Sequence, residues 1–225
     1  MEIQVSQEWY TTFPGAHIGV LLMGNVDNSK GSALLDQEKN SLETRLHQKF
    51  AGFSRNEFSN INVISAYRNY YKKFKKSYHV QLQIESIVLK HMALPNVSPL
   101  VNANFMAEMD TLVLTAGHDA DLLIHPVRID VTKEDDAFVQ MNGKPTQPKP
   151  GDMMMSDNLG IVCTIIYGQD QRTPISHATR RALYVAYAPF GVAKEKVEEQ
   201  LDLIKKYVIL VEPKAIVEIK EIYDA

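Results

Sequence analysis

Two short constellations in this sequence hold residue types that do chemistry. The first is Gly117-His118-Asp119-Ala120-Asp121. A histidine beside carboxylates can hold a divalent metal or take a proton near neutral pH. A His-Asp metal hydrolase would draw on His91 upstream, but it needs several ligands from separate helices, and the match here is one dipeptide. A Gly-Asp turn leading into a sheet is the simpler reading, so no metal is expected. The second constellation is Gln169-Asp170-Gln171-Arg172-Thr173, continuing through Ser176, His177 and Thr179 between two apolar runs. Asp170 suits an ammonium and Arg172 a carboxylate or phosphate, as in a pocket for a small zwitterion. An internal Asp-Arg pair that shapes the loop accounts for the same residues equally well.

A third pattern concerns charge. Tyr67, Tyr70, Tyr71, Phe74 and Tyr78 fall within about a 100° arc at helical spacing, and Arg68, Lys72, Lys73, Lys75 and Lys76 occupy the remainder. An aromatic stripe is ordinarily core and the lysines opposite it a solvated face. Five cations on one short segment also suit the phosphates of a nucleic acid. Other motifs fail. There is no GxGxxG, no phosphate-loop order in Gly24 to Ser32, and no GxSxG elbow. Cys163, the only cysteine, sits in a β-branched run as a buried structural thiol would, and it excludes intrachain disulfides and CxxC metal sites.

The elements that must position these residues follow from periodicity. The chain has 225 residues, 45% apolar and 23% charged, which suits a globular protein able to bury a sizeable core without staples. The net charge of -3 argues against indiscriminate binding of duplex DNA. Residues 1–4 resemble no signal peptide, and the longest mainly apolar stretch, Ile161 to Tyr167, falls far short of the ~20 residues that span a bilayer. The expectation is a soluble, cytoplasmic protein with no membrane partner. The N-terminal piece reads as strand, turn, strand, ending in Ile18 to Met23. Ser32 to Phe50 reads as a helix, then the aromatic helix, a helix around Ile84 to Met92, and a third from Ser98-Pro99 to about Val113. From residue 122 the period becomes two. Val127 to Val131 is a strand, Ala137 to Met141 enters a hairpin at Asn142-Gly143, and Pro148 to Gly151 is a surface turn. Ile161 to Tyr167 and Ala182 to Ala188 are strands, followed by a helix at Lys194 to Tyr207 and a strand at Ala215 to Ile222. Helices in the middle and strands in the second half favour α+β over βαβ winding.

One resemblance runs through these segments. Tyr67-Arg68-x-x-Tyr71-x-x-Phe74, then Ile84-Glu85-Ser86, Leu94-Pro95-Asn96-Val97-Ser98-Pro99-Leu100-Val101-Asn102, Gly117 to Asp121, Asp170-x-Arg172-Thr173 and Thr179 occur in order before Leu183-Tyr184-Val185. The set resembles the B3/B4 module of the phenylalanyl-tRNA synthetase beta subunit, in free-standing form, over about residues 13 to 190. The resemblance implies a single domain over 1–225, with residues 194–222 packed on a three-layer α+β sandwich of two β layers and one α layer. It also implies editing, the hydrolysis of amino acid wrongly esterified to tRNA, without a cofactor and without the synthetase's own aminoacylation. The family's Gly-Gly-Glu stretch is replaced by Gln169-Asp170-Gln171, which removes the basis for expecting tyrosine specificity. On this reading Asp170 and His118 are the catalytic candidates. Asn102, Gly117, Asp121, Gln171, Arg172, Thr173 and Thr179 would bind substrate, and Arg68, Lys72, Lys73, Lys75 and Lys76 would bind RNA. The partner is then aminoacyl-tRNA or another RNA. A non-catalytic module that binds RNA or a free amino-acid-like ligand is the alternative.

Overall fold

The computed structural model describes all 225 residues. Its strands form two main sheets. One is five-stranded, in the order β1 (Ile3–Val5), β4 (Val127–Val131), β7 (Met153–Asp157), β8 (Gly160–Thr164) and β9 (Gly168–Gln169). The other is four-stranded, in the order β11 (Ile216–Asp224), β2 (His17–Gly24), β10 (Ala182–Ala188) and β3 (Thr115–Asp119). A short hairpin, β5 (Phe138–Val139) and β6 (Pro145–Thr146), lies outside both, at the predicted Asn142-Gly143 turn. The four-stranded sheet is antiparallel throughout, with Val185 opposite both Val20 and Ala116. The architecture is α+β, as the distribution of strands and helices implied.

Every residue of β10 is buried, as is β2 from Ile18 onward. A strand buried on both faces reads as a continuous apolar run, which is why both were legible. On this sheet pack α6 (Pro99–Thr111) and α7 (Lys194–Val211), with α2 (Ala33–Lys49) against those helices. One apolar cluster of 58 residues runs through both sheets and the helices.

The aromatic helix is α4 (Asn62–Lys73). Its tyrosines are buried and also fasten the layers together. Tyr67 Oη donates to the Tyr187 carbonyl at 2.6 Å and accepts from Leu114 N at 3.0 Å. Tyr70 Oη donates to Asp152 Oδ1, and Tyr71 Oη donates to the Ile165 carbonyl. Tyr78, at the N-cap of α5 (His79–Lys90), stacks on Tyr67 with centroids 4.2 Å apart and donates to the Leu112 carbonyl. A buried tyrosine needs such a partner, because an unpaired hydroxyl there costs about 1–3 kcal/mol.

The structure differs from the sequence reading in several places. Gln7–Thr12 is a short helix, α1, not anticipated between the first two strands; it precedes the turn at Pro14-Gly15, and Ser6 Oγ caps it by accepting from Trp9 N at 3.1 Å. A second short helix, α3 (Arg55–Asn60), precedes α4. β7 is a strand with no sequence signature, since Met153, Met154 and Met155 have neither alternation nor β-branching. Thr115–Asp119 is strand β3, not a turn, and only Ala120–Leu122 turn after it. The strand expected over Ile161 to Tyr167 ends at Thr164. Ser98 precedes α6 without capping it; Asn28 Oδ1 accepts from Leu100 N instead and does that work from another element.

Candidate functional site

Between α6, β3 and the β8–β9 turn lies a cavity of about 480 Å³. Its walls are mostly apolar, from Val101, Leu114, Ile165, Ile166 and Ile175, with a few polar groups among them. Gly117 supplies part of one wall, and any side chain there would have to displace its neighbours. A Cβ there would lie 2.9 Å from Ile175 Cδ1 and 3.3 Å from the Tyr184 ring.

Two of the polar groups come from one helix face. Asn104 and Glu108 are four apart on α6 and therefore neighbours on its surface. Both hold the start of β3. Asn104 Nδ2 donates to the Thr115 carbonyl at 3.0 Å, and Glu108 Oε1 accepts from Thr115 N at 2.7 Å. Asn104 Oδ1 is buried with no partner in the protein. Burial pushes the Glu108 carboxyl up to about 8, against a smaller opposing effect of the Thr115 hydrogen bond. At pH 7 it is therefore mostly neutral and able to donate a hydrogen bond. Asn104 and Glu108 were not singled out from the sequence. Their signal was available: two polar residues at i and i+4 among Leu100, Ala103, Met106, Ala107 and Met109.

The two sequence constellations come together, though mainly behind the cavity wall. Gly117 and Gln169 line it, and the neighbouring side chains point elsewhere because successive strand residues face opposite ways. His118 is fully buried. Its Nδ1 lies 2.9 Å from Thr173 Oγ1 and 3.1 Å from Gln169 Nε2, while Nε2 has no partner. Burial pushes its imidazole down to about 3, so it is neutral at physiological pH. Thr173 Oγ1 donates in turn to Asp170 Oδ1 at 2.7 Å. Arg172 Nε sits 2.7 Å from Asp170 Oδ2, close enough for an ion pair though off the hydrogen-bond axis. The Arg172 guanidinium also forks onto Asp157, with both N–O distances 3.1 Å. Asp170 and Arg172 thus neutralise each other, and with Gln171 they line a separate hollow of about 200 Å³.

The other candidates are also engaged in the fold. Asn102, two residues before Asn104, faces away from the main cavity. Its Oδ1 accepts from Val97 N, and its Nδ2 donates to Asn96 Oδ1. Thr179 Oγ1 donates to Asp119 Oδ2 at 2.7 Å and is buried. Asp121 is exposed and pairs with Arg181 at 3.1 Å. Burial pushes the Cys163 thiol up to about 12, so it is no nucleophile at neutral pH. No group of three or more His, Cys, Asp or Glu side chains is placed to hold a metal ion.

The cationic run lies at the surface. Arg68, Lys72, Lys75 and Lys76 line a polar groove of about 770 Å³ together with Arg55, and Lys73 projects nearby from the same helix. All five cations of the run are exposed. α5 and its N-cap contribute to both hollows without a shared lining residue: His79 lines the cavity, and Tyr78, Gln81 and Leu82 line the groove. No helix is long and apolar enough to cross a membrane.

No protein-family model and no curated protein matches the sequence. Among solved structures, the chain is similar to an N-terminal fragment of the phenylalanyl-tRNA synthetase beta subunit from Pyrococcus horikoshii. The TM-score is 0.47 and the sequence identity 8%, covering 97% of this chain and 54% of that one. The chain therefore spans about half the length of the fragment, and the likeness is one of structure, not of sequence.

Proposed function

We propose that this chain binds the aminoacyl end of an RNA and hydrolyses the ester in trans. The observation that carries the proposal is that α5 and its N-cap contribute to two hollows of complementary chemistry. One is a largely apolar cavity with room for an aminoacyl group, and the other is a groove of cations suited to phosphates. Asn104 Oδ1, buried and unpartnered, accepts from the amino acid's ammonium. Glu108, neutral at pH 7, donates to the ester carbonyl oxygen as it becomes an oxyanion. Water attacks the acyl carbon, the bond from that carbon to the ribose oxygen breaks, and this oxygen takes the proton the water releases and leaves as the RNA hydroxyl. An aminoacyl ester is already activated, so positioning supplies much of the rate without a strong nucleophile. Asp170, His118, Arg172 and Thr173 are positioning residues on this reading: their linked contacts hold Gln169 and β9 against the cavity.

A non-catalytic binding module is the second reading. The mutual neutralisation of Asp170 and Arg172 and the neutral His118 favour it, since no strong base faces the cavity at pH 7.

The test is deacylation of a panel of mischarged tRNAs by purified protein, with chelator present. Hydrolysis of at least one ester is expected, slowed at least tenfold by Asn104→Ala and by Glu108→Gln. Binding of charged tRNA without deacylation would support the second reading. Failure to bind any tRNA would overturn the first reading and leave of the second only a module for a free amino-acid-like ligand.

A further inference from the structure

A second partly apolar hollow, of about 510 Å³, lies beside the cationic groove on the adjacent face of α4, between Phe13, Pro14, Tyr70 and Phe190. Phe190 is 76% exposed, and no other aromatic side chain is so open to water. Its exposure does not come from a loose loop. Gly15, at φ +75°, lies so close that a Cβ there would be 2.8 Å from Phe190 Cδ2. Gly191, at φ +96°, presses the other side of the turn against Ala66 of α4, where a Cβ would sit at 3.2 Å. The chain therefore carries an exposed apolar ring on a turn whose backbone packs closely against α4, although burying a Phe side chain is worth roughly 1.5–3 kcal/mol.

Charge indicates what covers it. Lys73 lines the hollow, its Nζ 5.8 Å from the centre of the Tyr70 ring. Asn69 lines both this hollow and the groove that carries Arg68, Lys72, Lys75 and Lys76. A polyanion lying along the groove thus reaches the aromatic hollow across a single amide side chain. An apolar peptide would gain nothing from that continuous run of cations. An unpaired strand gains from both, since aromatic rings stack bases of any sequence while cations follow the phosphates.

We propose that Phe190 is a stacking platform for an unpaired RNA base, with Phe13 and Tyr70 forming the floor of the hollow and Asn69 and Lys73 its polar rim. The proposal rests on the RNA-binding half of the function proposed above and adds to it the strand state that is recognised. The chain takes a single-stranded segment, not a duplex alone.

The test uses an unstructured single-stranded RNA decamer and the same strand annealed to its complement. Binding is followed by anisotropy over a range of salt. Phe190→Ala is expected to weaken single-strand binding by roughly 5- to 150-fold, the size of one lost base stack, with the salt slope unchanged. Phe190→Trp is expected to keep the affinity, and its emission to be quenched on binding. The native Trp9 is fully buried and gives no such signal. Duplex affinity should not respond to either change. If Phe190→Ala binds the decamer as wild type does, while Lys72→Gln/Lys76→Gln weakens it, the platform is overturned and the RNA-binding groove stands. If the wild-type chain binds charged tRNA but no decamer at any salt, the platform is overturned and the RNA half of the proposed function stands.

Discussion

Replacing Glu108 by Gln should change how stability depends on pH, in a direction that follows from burial. Folding raises the Glu108 carboxyl from its ordinary 4.5 to about 8, because it lies among apolar side chains and Thr115 N is its one hydrogen-bond donor in the protein. A carboxyl raised by folding holds its proton more tightly in the native state than in the unfolded chain. Stability is therefore intact below 4.5 and is lost as pH climbs toward 8. At 1.36 kcal/mol per pH unit, the full difference is on the order of 5 kcal/mol. Gln keeps an oxygen for Thr115 N and cannot ionise. Urea unfolding of both proteins at pH 5, 7 and 9 isolates the effect. Asp152, which burial raises to about 6, loses its contribution below this window's upper half and does so in both proteins. His118 at about 3 and Cys163 at about 12 titrate outside the range. The variant should match wild type within about 1 kcal/mol at pH 5 and exceed it by several kcal/mol at pH 9. A difference that stays constant across the three pH values would refute the account of Glu108 as a desolvated acid.

Three further outcomes are expected. Arg172→Ala leaves Asp157 and Asp170, whose side chains are almost fully buried, without their cation; it should cost about 3–5 kcal/mol in urea unfolding, and Asp170→Asn should recover part of that loss in the double variant. Tyr67→Phe removes one hydroxyl and leaves both its partners, the Tyr187 carbonyl and Leu114 N, unpaired, and should lower stability by about 1–3 kcal/mol with little change in the far-UV spectrum. Lys72→Gln/Lys76→Gln removes two exposed cations from the groove and should reduce the slope of log affinity for single-stranded RNA against log salt by about 1.4; an unchanged slope would return the lysines to an ordinary solvated face.

Local pattern determined much of this molecule before any tertiary contact was considered. The buried strands β2 and β10 announce themselves as apolar runs, the helix α2 by its spaced leucines, and the aromatic stripe of α4 by its period, so the α+β class was legible. What the sequence could not supply is which way each polar residue faces and what it meets there. Asp170 and Arg172 look the same in sequence whether they await a zwitterion or hold each other. The decisive partner, Asp157, lies on another strand and is brought there only by the pairing of β7 with β8. His118 reads as a reactive imidazole beside a carboxylate, yet its place on β3 against Leu183 seals it from water, and that burial alone sets its protonation. In sequence Glu108 is one acid among the apolar residues of a helix. Only the packing of α6 over β3 makes it a neutral, hydrogen-bonding acid in a cavity wall. Propensity and periodicity are local and survive in the bare chain. Desolvation and charge pairing are fixed by residues distant in sequence, and they exist only once the layers have closed.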